Sequence, residues 1–381
     1  MGMRPLAVAV CLTCLAAEGQ AREGEPKHDL AEAEWKPGAS AVGPADEAPP
    51  KERDPAALDP RKRALHTAIA VGPGAIVHGV GHASAGRSDT ARRLALTQVV
   101  GLGTMVGGLA GLALTGASRW FAGPLALGVV AGGGLFVLPW TADIYGSAAG
   151  PEGAGRAPAH APLVVTEFGH RYVYDPQFRY RHFLVESVDL RLDRFRVTPS
   201  GWFALDDRNA RLRVFGSYRL LGNDTHFLGL EAAVTHHRFD SDGFRVLTGE
   251  VGVGGRGDLE RWDGALSGAF VEGGAGLALQ RFEYRVPGMD IDPEVNDLLL
   301  ARYAFGFYLG RDSGEARVYY DHRHDDFAAG LLVPGLGSGV AGHFGADVRW
   351  YFGDFGVLTE AQVGSAWVTG LSLIYRRGAN R

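Results

Sequence analysis

The sequence predicts a mainly β protein, an antiparallel transmembrane β-barrel of about 10 strands (range roughly 8–12) preceded by a Gly/Ala-rich helical hairpin. Three observations predict it. The chain opens with an export-type leader. Two long uncharged stretches diluted with glycine follow. From residue 163 to 381, apolar and charged residues alternate with a period of two. A period of two places successive side chains on opposite faces of a strand.

Residues 1–21 read as a signal peptide, with Arg4 as the positive start, Leu6 to Ala17 as the short apolar core, and Gly19-Gln20-Ala21 as the cleavage site. Both cysteines, Cys11 and Cys14, fall inside it. The mature chain therefore excludes disulfide scaffolds, thiol nucleophiles and cysteine metal sites, and it suits an oxidising compartment. Residues 22–62 are rich in Ala, Pro, Glu and Lys without a sustained apolar period, the signature of a disordered linker. All four lysines precede position 63, and every later Lys/Arg position is arginine. The formal net charge of -5 implies no polyanion and so no nucleic-acid partner.

Residues 63–148 form the expected hairpin. The uncharged stretches Leu94 to Ala117 and Phe121 to Ala142 are each long enough to cross a bilayer as a helix. Gly103, Gly107 and Gly111 in the first, with Gly128 and Gly132 in the second, predict ridges for close helix approach. Arg92, Arg93 and Arg119 flank these stretches, and Trp120 and Trp140 are expected interface anchors. The segment before them, "PGAIVHGVGHASAGR", resembles the opening of small two-helix membrane modules of the TM2 type at Pro73, Gly74, Gly81, His82, Gly86 and Arg87. It departs in the spacing after Pro-Gly and in carrying Ala83-Ser84 where the module has aromatics. The resemblance implies a membrane-embedded hairpin and no activity.

In the region 163–381 "SVDLRLD" sets Val188, Leu190 and Leu192 against Asp189 and Arg191, and "ARLRVFGSYRL" sets Leu212 and Val214 against Arg211 and Arg213. "LLARYAFGFYLG" opposes Leu299, Ala301, Tyr303, Phe305 and Phe307 to Arg302, and "GVAGHFGADVRWYF" opposes Phe344, Ala346, Val348 and Trp350 to Asp347 and Arg349. Turn residues fall between these runs. The Gly-rich run "GVGVGGRG" reads as strand, since no helix pattern follows it to make a phosphate loop. "MDIDPEVND" reads as an acidic surface loop.

A soluble sandwich shares this period but hides its apolar faces, whereas a membrane barrel turns them to lipid and its charges to the lumen. The leader, the aromatics near strand ends and the balanced charges of the polar faces favour the barrel. The region thus resembles the Gram-negative outer-membrane β-barrel class, with no subfamily assigned. Gly370, Leu371, Leu373 and Tyr375 partly match that class's C-terminal assembly signal, without its terminal Phe. The resemblance implies the outer membrane as location, with the lipid bilayer and the barrel assembly machinery as partners.

The densest charge cluster is "VYYDHRHDDF", 318–327. As one strand over 316–326, it puts Glu315, Arg317, Tyr319, Asp321, Arg323 and Asp325 on one face and His322, His324 and Asp326 on the other. The expectation is a lumen charge ladder of Arg317, Asp321, Arg323, Asp325, Asp347, Arg349, Arg302, Asp189, Arg191, Arg211 and Arg213. No catalytic residue, metal or cofactor is assigned; His322 and His324 are weak metal candidates, because i and i+2 on a strand point the same way. His78 and His82 have helical metal spacing without the glutamate of a metalloprotease helix. Outer-membrane lipid A deacylases carry His-x-Ser near a strand end; here His324 stands where that serine would. The expected role is structural, anchoring or narrowly selective transport, with no enzyme chemistry. Two alternatives stay open: a barrel-borne lipid hydrolase at His322/His324, and an inner-membrane helical anchor carrying a periplasmic β-sandwich. Any small-molecule ligand is left open.

Overall fold

The structure is a computed structural model that describes residues 59–116, 121–149, 153–158, 161–176, 180–240, 243–285, 288, 291–328, 330–333 and 337–379. The expected signal peptide and nearly all of the linker lie outside the described residues, as do Arg119, Trp120 and Asp290.

Alternating sequence becomes strand throughout the second half. The strands are β1 Pro162–Tyr174, β2 His182–Leu192, β3 Phe195–Ala204, β4 Asn209–Gly222, β5 Phe227–Phe239 and β6 Phe244–Asp258. They continue as β7 Ala269–Tyr284, β8 Glu294–Arg311, β9 Gly314–Asp321, β10 His343–Phe352, β11 Phe355–Val363 and β12 Trp367–Ala379. Each pairs antiparallel with its sequence neighbour, and β12 pairs with β1, so the sheet closes on itself. The barrel has twelve strands, not about ten. On the lumen faces of β6 and β7, Gly252 lies opposite Gly276 and Gly254 opposite Gly274, so the alternation there is between apolar residues and bare backbone.

The end where β1 starts and β12 stops has tight turns, including 312–313 and 353–354. Asp193, Asp312 and Gly353 adopt positive φ there (55°, 59° and 73°), as tight hairpin turns require. The opposite, far end carries the longest connection, 322–342, which contains a short hairpin of Leu331–Val333 and Gly337–Ala341. Glu294 and Asp297, expected in an acidic loop, begin β8 instead.

Before the barrel come α1 Pro60–Val71, a short α2 Val80–Ser84, and the long pair α3 Ser88–Leu114 and α4 Ala122–Ala149. The pair is a hairpin whose close contact runs through Gly101, Gly108 and Gly132. A Cβ on Gly101 would strike the backbone at Leu135 and Phe136, and one on Gly132 the backbone of Gly101 and Met105. The expected ridge therefore holds at Gly132 and is shifted on α3. Gly103, Gly107 and Gly128 face open space, while Gly111 meets only the Leu125 side chain. Trp140 is not an outward anchor, because its indole N–H donates to the Ala70 carbonyl at 3.0 Å.

The base of the hairpin is tied together by one carboxylate. Asp143 on α4 accepts from the backbone N–H groups of Gly79 (3.0 Å), Gly81 (3.1 Å) and His82 (3.0 Å), and it pairs with His82 Nδ1 at 2.6 Å. Gly79 permits this turn: its φ is +91°, and a Cβ there would collide with Ala91. His78 and His82 are thus not paired on one helix face, and the chain bends between them as the intervening glycines imply.

The hairpin packs on the outside of the barrel wall. Leu94, Ala142 and Tyr145 form one apolar cluster with Phe305 of β8, Ala269 of β7, and Leu259 and Leu266 of the β6–β7 connection. Higher up α4, a Cβ on Gly134 would touch the Tyr303 ring.

Candidate functional site: the charged lumen and its inward loop

Which face of each strand is the lumen follows from ion pairs that join strands that are not neighbours. Such strands can meet only across the interior. Arg256 of β6 reaches Glu315 of β9 at 3.0 Å, Arg317 of β9 reaches Glu272 of β7 at 2.9 Å, and Arg171 of β1 reaches Glu360 of β11 at 2.8 Å. Arg302 of β8 binds Glu231 of β5. The alternate positions on the same strands are apolar and bare: Leu373 is 68% exposed, Val251 65% and Leu371 59%, against 2% for Arg171 and 5% for Asp347. The barrel is inside-out relative to a water-soluble domain.

The lumen charges form two tiers. Near the short-turn end, Arg317 joins Asp347 (2.6 Å) and Glu272, Arg256 joins Glu272 and Glu315, and Arg349 lies 3.6 Å from Glu315. On β2 and β3, Asp189 holds Arg196 at 2.7 Å and Arg191 at 3.3 Å. Further up, Arg171 is held by Glu167 at 2.6 Å and by Glu360, and donates to the Ser372 hydroxyl at 2.7 Å. Arg213 makes a two-pronged contact with Glu250, and Arg302 pairs with Glu231.

The far tier is completed by the β9–β10 connection. The expected single strand over 316–326 ends at Asp321, and the chain then turns into the barrel. Arg323 binds Glu250 at 2.8 Å and approaches Asp325 at 3.3 Å, while Asp326 binds Arg211 of β4. Phe327 sits at the centre of an aromatic cluster. It stacks on Trp202 (5.1 Å between centroids, 18° between planes) and packs against Phe183 (4.7 Å), Tyr180 (5.9 Å) and His237 (5.1 Å). Val173, Val185, Ala328 and Val368 fill in around it. Leaving the strand pattern frees Arg323, Asp326 and Phe327 to point inward together, which strict alternation would forbid. The placement of Asp326 on the histidine face is thereby corrected.

His322 and His324 do not join this cluster. Their rings lie 5.0 Å apart, and His322 Nδ1 hydrogen-bonds the Tyr320 hydroxyl at 2.8 Å. Burial pushes the His322 imidazole below its ordinary value, and neighbouring His324 adds to the shift. Among the described residues no group of three His, Cys, Asp or Glu side chains is placed to hold a metal.

Beneath the loop is a cavity of about 280 Å³. Arg211, Arg213, Arg302 and Arg323 face Glu231, Glu250, Asp321 and Asp326 around it, with Trp202 and Phe215 as apolar surfaces and Gly252, Gly274 and Gly276 as a bare wall. A Cβ on Gly254 would run into the Glu231 carboxylate and the Arg302 guanidinium, so glycine makes room for that pair.

Of the expected ladder residues, Asp189, Arg191, Arg211, Arg213, Arg302, Arg317, Arg323, Asp325, Asp347 and Arg349 each make one of these ion pairs, and Asp321 lines the cavity. The acids opposing them, Glu231, Glu250 and Glu272, and the basic Arg256 were missed, along with Glu167, Arg171 and Glu360. The available signal was a lone charge recurring at period two inside glycine-rich runs, as in "GEVGVGGRG" and "VEGGAG".

No protein-family model matches the chain, and no curated protein matches it. Solved structures do match. The KdgM porin in complex with disordered oligogalacturonate is 8% identical, with a TM-score of 0.37, over 56% of this chain and 99% of that one. The translocator domain of the autotransporter NalP from Neisseria meningitidis is 12% identical, with a TM-score of 0.35, over 57% of this chain and 90% of that one. An Acinetobacter baumannii outer-membrane protein is 12% identical, with a TM-score of 0.31, over 56% and 98%. These structural neighbours are outer-membrane β-barrels. One is a porin, one a translocator domain and one an outer-membrane protein, and none assigns a subfamily to this chain.

Proposed function

We propose that this protein is an exported outer-membrane β-barrel whose lumen, narrowed by the 322–328 loop, admits small uncharged polar solutes selectively. The carrying observation is the inside-out polarity. A continuous apolar wall of Leu, Val, Phe and Trp is stable outside a closed sheet only where the surroundings are apolar too. The span from Trp367 to Tyr375 on the outer face of β12 corresponds to ~20 Å along the bilayer normal at ~3.3 Å per residue and a ~40° tilt, close to the ~25 Å apolar band of such barrels. In this reading residues 1–21 direct export, the assembly machinery inserts the barrel, and the 322–342 connection lies on the outside of the cell.

The selectivity follows from the cavity lining. Four guanidinium groups are offset by four carboxylates, so an ion of either sign meets as much repulsion as attraction while losing its hydration. A neutral solute with hydroxyl groups can use the donors and acceptors these pairs leave free. The cavity volume falls just below the ~300–1,000 Å³ of typical small-molecule sites, which suits a single small unit. No covalent chemistry is assigned. His322 is engaged by Tyr320, and no serine or cysteine lies beside it in sequence to act as a nucleophile.

The test is solute entry into proteoliposomes carrying the full chain, comparing glucose, gluconate and glucosamine. Glucose entry roughly tenfold faster than either charged analogue supports the reading, since leaving one charge poorly paired costs ~1–3 kcal/mol. Equal entry of all three removes the selectivity. No entry of any, with the barrel folded, favours a structural or anchoring role, for which the loop and ion pairs act as filling.

A further inference from the structure

We infer that the α3–α4 hairpin lies in the acyl-chain layer of the same membrane, beside the barrel, so that one chain crosses the bilayer both as strands and as helices. The inference rests on the barrel reading and adds a second lipid-facing surface to it.

Four observations carry it. First, the hairpin docks on the outward face of β8, through Phe305, Phe307 and Tyr303. Neighbouring positions on that outward face of the barrel, Leu277 on β7 and Val318 on β9, are bare and apolar. An element packed at mid-height on a lipid-facing wall shares that wall's surroundings. Second, the surface the hairpin turns away from the barrel is itself apolar: Leu96, Val99, Val100, Val106 and Leu109 of α3 are each more than half exposed. In water such a patch would be a liability for association, whereas in lipid it needs no partner. Third, no Asp, Glu, Lys or Arg occurs between Arg93 and the end of α3, or in α4 before Asp143. At 27 and 28 residues and ~1.5 Å per residue, each helix is ~40 Å long, enough to cross the ~30 Å hydrocarbon layer with tilt. Fourth, the polar groups sit at one end. Arg93 donates to the Trp262 carbonyl, Thr90 to Asp263, and the Asp143 carboxylate has all its acceptors occupied by Gly79, Gly81 and His82. This end coincides with the short-turn end of the barrel, because Gly155 and Arg156 just after α4 pair with Gly310 and Arg311 at the foot of β8.

The close Gly101–Gly132 contact then has a purpose. In lipid two helices gain little from hiding apolar surface, and small residues allow the close packing that holds them together. The glycine dilution also lowers the hydrophobicity of each helix, which favours export past the inner membrane over arrest in it.

The experiment uses the full chain in lipid vesicles with Cys11→Ser and Cys14→Ser. Single spin labels are placed through Val106→Cys and Leu109→Cys on the hairpin, Leu277→Cys and Leu371→Cys on the barrel wall, and Leu205→Cys in a far-end loop. Collision with oxygen, which concentrates in lipid, is compared with collision with a water-soluble nickel chelate. The expected result is an oxygen-to-nickel ratio at Val106 and Leu109 equal to that at the two barrel positions and several-fold above that at Leu205. Hairpin positions that read as aqueous while Leu277 and Leu371 read as lipid would overturn the inference and leave the barrel standing. Aqueous readings at all four positions would overturn both.

Discussion

Replacing Phe327 tests whether the 322–328 loop is what narrows the lumen. Its ring is 7% exposed and touches Trp202, Phe183, Tyr180 and His237. Truncating a phenylalanine so enclosed costs ~3–5 kcal/mol. The strands on either side keep their own pairing, so the loss falls on the loop's inward position rather than on the barrel. At ~1.4 kcal/mol per tenfold change, Phe327→Ala shifts the balance between inward and released loop by roughly two to three and a half decades. The loop is still held by Asp326 on Arg211 and by Arg323 on Glu250. Adding Asp326→Asn removes the first of these. Breaking a buried pair costs ~3–5 kcal/mol, and hydration of the lumen argues for the lower end. The assay is single-channel conductance of the full chain in a planar bilayer. The wild-type protein should show a small, steady conductance. Phe327→Ala should add transitions to a larger level, and the double variant should sit mostly at that level. The reasoning is refuted if the double variant, still folded by its gel mobility, conducts as the wild type does.

Three further outcomes follow from the same geometry. Leu371→Arg, on the outer face of β12, should destabilise the folded barrel by ~2–4 kcal/mol in a bilayer, read as a lowered urea midpoint; the same change on a wall facing water would be nearly neutral. Asp143→Ala strands three buried N–H groups and the His82 ring, at ~1–3 kcal/mol for each unpaired group. It should make the 72–87 segment and α3 sensitive to protease while the strands resist. The third outcome concerns pH. His322, which contacts the Tyr320 hydroxyl, His324 and Asp321, has a folded-state value lowered from 6.5, so the unfolded chain binds the extra proton first. Stability of this loop base therefore rises with pH and weakens as pH falls through about 6.5. The protection factor at 320–324, the intrinsic hydrogen-exchange rate divided by the observed rate at each pH, should be lower at pH 5 than at pH 7.5, and His322→Gln should flatten that difference; an unchanged protection profile would dismiss the histidine.

The barrel was legible because a strand's period is short and each outward leucine or valine declares its neighbour's face. That rule put Arg191, Arg211, Arg213, Arg302 and Asp347 on one polar face, and the leader, the end aromatics and the balanced charges, not the period, turned that face inward. Strands whose inward face is glycine, β6 and β7, show the alternation only on their outward side, although "GVGVGGRG" still read as strand. The inward loop was legible only in the charges of Arg323 and Asp325, not in its path. Its strand stops at Asp321 for a tertiary reason, the aromatic hollow that receives Phe327, and that hollow gathers residues from β2, β3 and β5 that no local pattern links. The helix ridge was read correctly at Gly132 but not on α3, where Gly101 and Gly108 rather than Gly103 and Gly107 meet the partner. Glycine spacing shows where close approach is possible, but which of two adjacent glycine rows meets the partner depends on how the hairpin sits on the barrel wall.

The central claim, an inside-out closed barrel, is tested most directly by gel mobility of the full chain refolded in detergent, loaded with and without boiling. A compact, fast-running band that slows only after boiling is expected, since a sheet closed by β12 on β1 resists dodecyl sulfate until heated. A chain that stays soluble in buffer without detergent and runs at one mobility would contradict it, because the exposed leucines and valines of the outer wall would then have to be buried.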